Sequence, residues 1–499
     1  MENTKISEKD ERLKKINTLV SEGVNPYPAS SKRTHTIDLV LQHFDQFEKD
    51  QSAVIIAGRL KSKRAHGNLC FSNLYSNNFS IQLAFSKKEM LGGDGFEYKD
   101  FIKLIDIGDF VEISGICFTT HKGEKSIMVK SCNLLTKAIL PLPEKWHGLK
   151  DDDEKLRKRY LDILMNPDVF DIFVKRAKFW EATRNFLQAN GFMEVETPTI
   201  ENTTGGAEAN PFKTHHNDFD IEVFLRISIG ELWQKRLMAA GIEKTFEIGR
   251  AFRNEGSSPD HLQEFTNMEF YWAYADYEIG MKFTREMYIY IANQVFGKTK
   301  FKTKGYEYDL NSEWSKIDYC DEILKQTGIN ILQASNEEME NKLNDLKVKY
   351  EGNNRERLTD TLWKYCRKNI AGPVFLVNHP KLISPLAKEK DDNRDQVQRF
   401  QIIIAGSEIG NGYSELNNPI EQRKRFEEQQ ELIKKGDAEA MMPDWEFVEM
   451  LEHGMPPTFG FGFGERLFGA LMDKPLREVT LFPLLRPKKE NTSSVIDEK

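Results

Sequence analysis

The sequence predicts an α+β protein in two parts: a small β-barrel, then a larger domain with an antiparallel sheet flanked by helices. Three observations carry this. From about 53 to 140, short apolar runs alternate with polar residues and are parted by turn signals. After about 170, helical and strand patterns mix. A stretch with two prolines that turns into a charged helical pattern, LPLPEKWHGLKDDDEKLRKRYLDIL, separates the two. With 499 residues, 39% hydrophobic and 30% charged, the chain has material for roughly two to four domains with a sizeable core.

Residues 1–50 read as a charged helical extension. Leu13, Ile16, Leu19 and Val20 recur at helical spacing, Pro26 and Pro28 end the segment, and a second amphipathic stretch follows from Ile37 to Phe47. The runs AVIIAGRL, LCFSNLY, FSIQLAF, DFVEISGICF and SIMVKSCNLL, with the turns HGN, SNN and HKGE, then give five strands. Five short strands at this spacing suit an OB-fold over 51–142. GRLKSKRAHG carries Arg59, Lys61, Lys63 and Arg64 without an acid between them. Beside an aromatic such as Phe71, that strand suits single-stranded nucleic acid. A solvated edge strand with Phe71 in the core is the other reading, since basic edges also block aggregation. The linker spans 143–168. Beyond it, over 169–490, Phe173, Ala177, Trp180 and Leu187 mark a helix that should stop near Gly191. A charged segment at about 310–370 reads as a helical insertion, and 491–499 as a disordered tail.

Several classes are disfavoured. No apolar run approaches the ~20 residues that span a bilayer, and MENTKISEKDERLKK lacks a signal-peptide centre, so a cytoplasmic location is expected. Cys70, Cys117, Cys132, Cys320 and Cys366 never form CxxC, which points to buried thiols rather than zinc or disulfides. A formal net charge of −8 argues against non-specific coating of nucleic acid, but not against local basic patches.

Three segments carry chemistry. In FEIGRAFRNEGSSPDHLQEFTNMEFYWAYAD, alternation sets Gly249, Ala251 and Arg253 on one strand face, and Phe265, Asn267, Glu269 and Tyr271 on one face of the next strand. Arg253 suits a phosphate or carboxylate through its planar fork. In FQIIIAGSEIGNGYSELNN, Asn411, Tyr413 and Glu415 share a face, while Gly406, Gly410 and Gly412 permit a close ligand or a bulge. In PPTFGFGFGERLF, Gly460, Gly462 and Gly464 lead into Glu465, Arg466 and a helix, so that a nucleotide could lie against the backbone with Arg466 at its phosphates. Neither GxGxxG nor GxxxxGK[ST] is present. Taken singly, each segment could equally be structural.

Together and in this order, the three segments resemble the signature motifs of the class II aminoacyl-tRNA synthetases: GFMEVETP the first, FRNEG through EFTNMEFYWAYAD the second, and GFGFGER the third. HGLKDDDEKLRKRYLDIL, TGGAEANPFKTHHN, FEIGRAFRNEG and EIGNGYSELN are similar to segments of the lysyl-tRNA synthetases, a resemblance spanning about 50–488. It implies ATP-dependent activation of lysine and its transfer to the 3′ end of tRNA(Lys), with magnesium, and a homodimer formed through the first motif. It implies that Arg253 and Arg466 are catalytic and hold phosphates, that Phe265 stacks on adenine, and that Glu255, His261, Gly462 and Gly464 also meet ATP. Gly206, Glu231, Glu269, Tyr271, Asn411, Tyr413 and Glu415 would receive lysine. Glu408, with Gln401, would hold magnesium, and Arg64, Phe71 and Gln82 would read the anticodon. A lysine ammonium has three donors and needs such anionic or phenolic acceptors.

The chain departs from the family pattern in four places. Arg-Ile-Ser-Ile-Gly-Glu-Leu-Trp, Arg226 to Trp233, has one residue more than the usual Arg-Ile-Ala-Pro-Glu-Leu-Tyr. The third motif is one residue shorter between Gly464 and Arg466. Asp260-His261-Leu262-Gln263 replaces the common His-Asn-Pro, and Gln401 stands where a second metal-binding glutamate is usual. The alternatives are an aspartyl- or asparaginyl-tRNA synthetase, whose pocket would want basic side chains, and a non-catalytic RNA-binding paralogue, which would tend to lose Arg253, Arg466 or Glu408.

Overall fold

In this computed structural model, the structure describes residues 7–90, 95–143, 149, 151–206, 209–350, 352–436 and 440–488. The expected tail at 491–499 and residues 144–148 and 150 of the expected linker lie outside the described residues. The chain divides after Phe170 into two compact units.

The first unit opens with α1 (Glu8–Ser21), whose N-cap Ser7 accepts from the Asp10 N–H. Its inward face is Arg12 with Leu19, whereas Val20, expected on that face, is exposed. Arg12 is held because its guanidinium donates to the Ala138 and Ile107 carbonyls and to Glu8, which satisfies a charge that burial would otherwise penalise. Helices α2 (Ile37–Gln42) and α3 (Phe44–Asp50) bring Ile37, Val40 and Phe44 to the same core. Strands β1 (Ala53–His66), β2 (Leu69–Ser76), β3 (Phe79–Ser86), β4 (Phe110–Thr119) and β5 (Lys125–Thr136) close in the order β1-β2-β3-β5-β4, with β1 pairing β4. Alternation puts Val54, Ile56 and Leu60 inside, and closure leaves no free edge. Cys70, Cys117 and Cys132 are also interior, and burial pushes the Cys117 thiol up to about 11. Helix α4 (Tyr98–Leu104) lies between β3 and β4 in sequence. The expected linker contains two short helices, α5 (Asp152–Arg157) and α6 (Arg159–Met165), the latter holding a buried Arg159–Asp162 pair at 2.9 Å.

The second unit takes in most of α7 (Pro167–Ala189), which buries Ile172, Phe179, Ala182 and Leu187; Gly191, at φ +82°, follows it. Next come β6 (Met193–Glu194), β7 (Ile200–Glu201), β8 (Lys213–His216), β9 (Ile221–Leu225) and α8 (Glu231–Ala239). The hairpin β10 (Lys244–Phe252) and β11 (Glu264–Ala273) leads to α9 (Tyr277–Phe296), then β12 (Lys300–Thr303), β13 (Tyr306–Asp309) and β14 (Ser315–Asp318). Helices α10 (Tyr319–Thr327), α11 (Asn336–Asp345) and α12 (Arg355–Cys366) precede β15 (Val374–Val377), β16 (Arg399–Ile404) and β17 (Ser407–Ser414). The unit ends with α13 (Pro419–Lys434), α14 (Trp445–His453), β18 (Thr458–Gly464), α15 (Glu465–Met472) and α16 (Leu476–Val479).

The main sheet runs β14-β15-β16-β17-β18-β11-β10-β6, antiparallel through its middle, with β14 and β6 added in parallel at the two edges. The expected α+β class is what the chain adopts. One sheet face is apolar: Phe459, Phe461 and Phe463 of β18, Phe270 of β11 and Phe400 of β16 cluster with Phe179 of α7 and Tyr288 and Ile291 of α9. The 310–370 segment is helical, with its own core of Ile323, Met339, Leu358 and Trp363, but it also supplies the edge strand β14. No helix among the described residues is long and apolar enough to cross a membrane.

Candidate active site

The face of the sheet opposite the phenylalanines carries the polar side chains that alternation set apart. Phe265, Asn267, Glu269 and Tyr271 from β11, Asn411 and Tyr413 from β17, Glu415 just beyond it, and Gly460, Gly462 and Gly464 from β18 line one cavity of ≈ 380 Å³. The glycines of β18 are needed because the strand alternates: while Phe459 and Phe461 point into the core, a Cβ at Gly460 would sit 2.1 Å from Glu415 Oε1. They make room for the acids as much as for any nucleotide. On the neighbouring strand Gly410 also borders the cavity, but the absent side chains of Gly410 and Gly412 lie on the other face. A Cβ at Gly410 would meet Tyr288 and Phe461, and one at Gly412 would meet Phe461, so these positions pack on the core face. Gly406 sits at φ +70° in the turn before β17, and the ladder is bulged at Ile402/Ile403.

The inner end of the cavity is acidic and buried. Glu269 is 7% exposed, Glu231 6% and Glu415 1%. Glu269 accepts from the Ile229 N–H at 2.8 Å, from Asn267 Nδ2 at 3.1 Å and from the Tyr271 hydroxyl at 3.1 Å. The Tyr413 hydroxyl donates to Glu231. Burial, and then the charge of Glu231, push the Glu269 carboxyl up to about 7. Burial pushes Glu415 up to about 8; the repulsion of Glu231 and Glu269 adds to this, and only the attraction of Lys235 opposes it. Burial and the same carboxylates raise the Tyr271 and Tyr413 phenols well above their usual range, so both stay neutral donors.

The one-residue expansion before Glu231 is absorbed by Gly230. At φ +64° it adopts a left-handed conformation that caps α8, leaving the Ile229 N–H aimed at Glu269. The expansion therefore supplies a hydrogen bond to the site. Gly206, also on the cavity wall, lies against Glu231 and Ser228.

The outer end is open, and its two arginines stand among acids. Arg253, Glu255, His261, Phe265, Glu408 and Arg466 line it. Arg253 donates through Nε to the Ile227 carbonyl at 3.3 Å, and its guanidinium lies 5.5 Å from the Phe265 ring centre. Arg466 starts α15, and its neighbour Glu465 anchors that helix by accepting from the Thr266 N–H at 2.7 Å and from Arg176 at 2.5 Å. Partial burial, then nearby Arg466, hold the His261 imidazole below its usual value. Leu262 of the altered loop packs into the core cluster. Glu408 lies 3.7 Å from Arg367. Gln401 is buried with His379 as a neighbour and is not itself on the cavity wall, although its cross-strand partner Asn411 is.

The sequence reading missed two residues here, one buried behind the cavity wall and one on it. Lys235 is one: its ammonium lies 2.8 Å from Glu231 Oε1 and 2.5 Å from Glu415 Oε2. The i,i+4 spacing of Glu231 and Lys235 on a helix was its signal. Arg399, which donates from Nε to Asn411 Oδ1 at 2.9 Å, is another. It stands on the strand beside β17 and left no local mark.

In the first unit, Arg64 and Phe71 are cross-strand partners, as are Asn73 and Gln82, so Arg64, Phe71 and Gln82 share the outer face of the barrel. Phe71 is half-buried there and takes no part in the core cluster. The basic run is less available than its sequence suggests. Lys63 donates to the Phe101, Ile102 and Ile105 carbonyls at the end of α4, Lys61 donates to the Leu164 carbonyl, and Arg59 stacks on Phe110. Arg64 is the exposed cation.

Comparison with known proteins bears on both units. Residues 151–486 match the family model described as class II tRNA synthetases (D, K and N), and residues 54–135 match an OB-fold nucleic acid binding domain. The chain is 41% identical over 486 residues to a lysine–tRNA ligase of Thermosipho melanesiensis, covering 96% of each. It is 42% identical over 484 residues to one from Moorella thermoacetica, covering 96% of this chain and 98% of the relative. It is also 42% identical over 487 residues to one from Clostridium tetani, covering 96% and 95%.

Proposed function

The chain belongs to the lysine–tRNA ligases among the class II tRNA synthetases, and we propose on that premise how its cavity divides the work. The activity is ATP-dependent activation of lysine and its transfer to tRNA. The observation that carries the division is where the charges stand: three buried carboxylates gather at the inner end, while Arg253 and Arg466 stand at the open outer end. Glu231 and the backbone at Gly206 receive the α-amino group. Glu415, Glu269 and Tyr271 receive the ε-ammonium, with Asn411 and Tyr413 completing the pocket. One oxygen of Glu415, Oε1, has no hydrogen-bond partner although it is buried, which leaves an acceptor for an incoming donor. An aspartate pocket would need cations here, so the aspartyl and asparaginyl readings fall behind.

ATP takes the outer end. Phe265 stacks on the adenine, Arg253 holds the α-phosphate and the lysine carboxylate, and Arg466 meets the phosphates. Glu255, His261 and the backbone at Gly462 and Gly464 complete its contacts. The lysine carboxylate attacks the α-phosphorus in line, forming lysyl-adenylate and releasing pyrophosphate; the terminal ribose hydroxyl of tRNA then displaces AMP. Neither step needs a covalent enzyme intermediate. Positioning and the two arginines opposing phosphate charge account for the rate. Among the described residues no group of three His, Cys, Asp or Glu side chains is placed to hold a metal ion by itself, but one carboxylate beside phosphates and water is a common magnesium donor set, and Glu408 fits it. Magnesium bound there would neutralise phosphate charge. In the barrel, Arg64, Phe71 and Gln82 form the surface for anticodon bases, and the first motif, 191–198, forms a homodimer contact.

The test is pyrophosphate exchange into ATP across all twenty amino acids. Lysine alone should support it strongly, with little from arginine or from added ornithine, because a site built for a hydrogen-bonded cation rejects misfits by about 10⁴-fold. Exchange driven by aspartate would overturn the assignment.

A further inference from the structure

The acids of the pocket have a buried cation behind them, and the charge of the group can be counted. Glu231 and Lys235 come from α8, Glu269 and Tyr271 from β11, and Tyr413 and Glu415 from β17 and its end. Arg253 stands at the outer side of Glu269, and Arg399 is spent on Asn411. From α14, Phe447 lies 5.8 Å from Lys235, while Asp444 is tied to Arg236 at 3.0 Å. Lys235 is 1% exposed, and its ammonium also lies over the Tyr413 ring at 5.5 Å and the Tyr271 ring at 5.8 Å. Three carboxylates and one ammonium leave a formal two negative charges. Free lysine brings two ammonium groups, while its carboxylate goes to Arg253. The pocket is therefore neutral when lysine fills it.

We propose that Lys235 is a specificity-determining positioning residue: by bridging Glu231 and Glu415 it holds apart the acceptors of the two substrate ammonium groups and sets the pocket charge to match them. The inference rests on the lysine reading of the cavity. Its physical basis is that three carboxylates this close and this dry cannot all stay ionised without a cation among them. Burial alone would lower the Lys235 ammonium, but Glu231 and then Glu415 more than offset it and raise it, so the cation persists. Glu415 is already held up to about 8 with Lys235 beside it. Without Lys235 it would rise further and hold its proton more tightly and to higher pH, withholding the charge that draws the ε-ammonium. Lysine would then have to expel that proton, and its binding would weaken most at low pH.

The experiment is the KM for lysine and for ATP in pyrophosphate exchange between about pH 6.5 and about pH 8.5, for the parent protein, Lys235→Met and Lys235→Arg. Lys235→Met should raise the lysine KM by about 10-fold or more at the low end, with the excess shrinking as pH rises. The ATP KM should stay within about 2-fold, and Lys235→Arg should restore the parent profile. Should Lys235→Met fail to fold, Lys235→Gln keeps an amide in place without the charge and should give the same profile. An unchanged lysine KM, or an excess constant across the pH range, would overturn the proposal and reduce Lys235 to packing. If the parent protein shows no lysine-dependent exchange, it is the functional reading that fails.

Discussion

The two ends of the cavity are opposites in burial and differ in charge, with buried carboxylates at the inner end and arginines among acids at the open one. Glu231, Glu269 and Glu415 sit out of water, Glu231 and Glu269 with hydrogen bonds already made and Glu415 paired with Lys235. Glu255 and His261 belong to the loop between β10 and β11 and are exposed. The difference follows from what each end must hold. A lysine ammonium loses all its water on entry, so its acceptors must be built in beforehand. Triphosphate charge is shared with metal and solvent, so its partners can remain at an open mouth.

The largest effect should come from the open end. Arg466→Ala should lower exchange by about 10²- to 10³-fold, the scale of losing one electrostatic stabiliser, with lysine affinity kept. Glu415→Gln should act on the other end alone. Exchanging an anionic acceptor for a neutral one against a cation costs about 2–3 kcal/mol, read as a higher lysine KM with the ATP KM unmoved. Equal loss for both substrates would erase the division.

Phe71→Ala should spare both ends. It removes one stacking surface from the barrel, costing about 1–3 kcal/mol in tRNA affinity while lysine exchange persists. A lower melting temperature with unchanged tRNA affinity would make Phe71 structural. The smallest effect is expected at Gln401. Because its side chain does not line the cavity, Gln401→Glu should move the magnesium half-saturation by less than about threefold, whereas Glu408→Gln should nearly abolish exchange. A marked tightening in Gln401→Glu would bring that position to the metal.

The same contrast explains what the sequence made legible. The barrel strands, the phenylalanine face of β18 and the polar face of β11 were readable because a period of two fixes both faces at once. Glu231 and the loop residues Glu255 and His261 came only through family resemblance, since loops carry no such period. Lys235 and Arg399 escaped because a buried cation beside an acid looks like an ordinary helix or strand residue until the tertiary fold brings the strands together. Gly410 and Gly412 left two readings open because a glycine in a strand marks a close approach without saying from which side, and the ladder is bulged beside Gly410. The basic run of β1 was open in the same way: the sequence shows charge, but not that Lys63 ends a helix.

Equilibrium binding to Glu415→Gln and Arg466→Ala, each measured with lysine alone and with ATP alone, tests the division of the cavity most directly. The account predicts a crossed result: Glu415→Gln loses lysine binding and keeps ATP, while Arg466→Ala loses ATP binding and keeps lysine. Loss of both ligands in both variants would contradict it, because the ends would then be one cooperative unit.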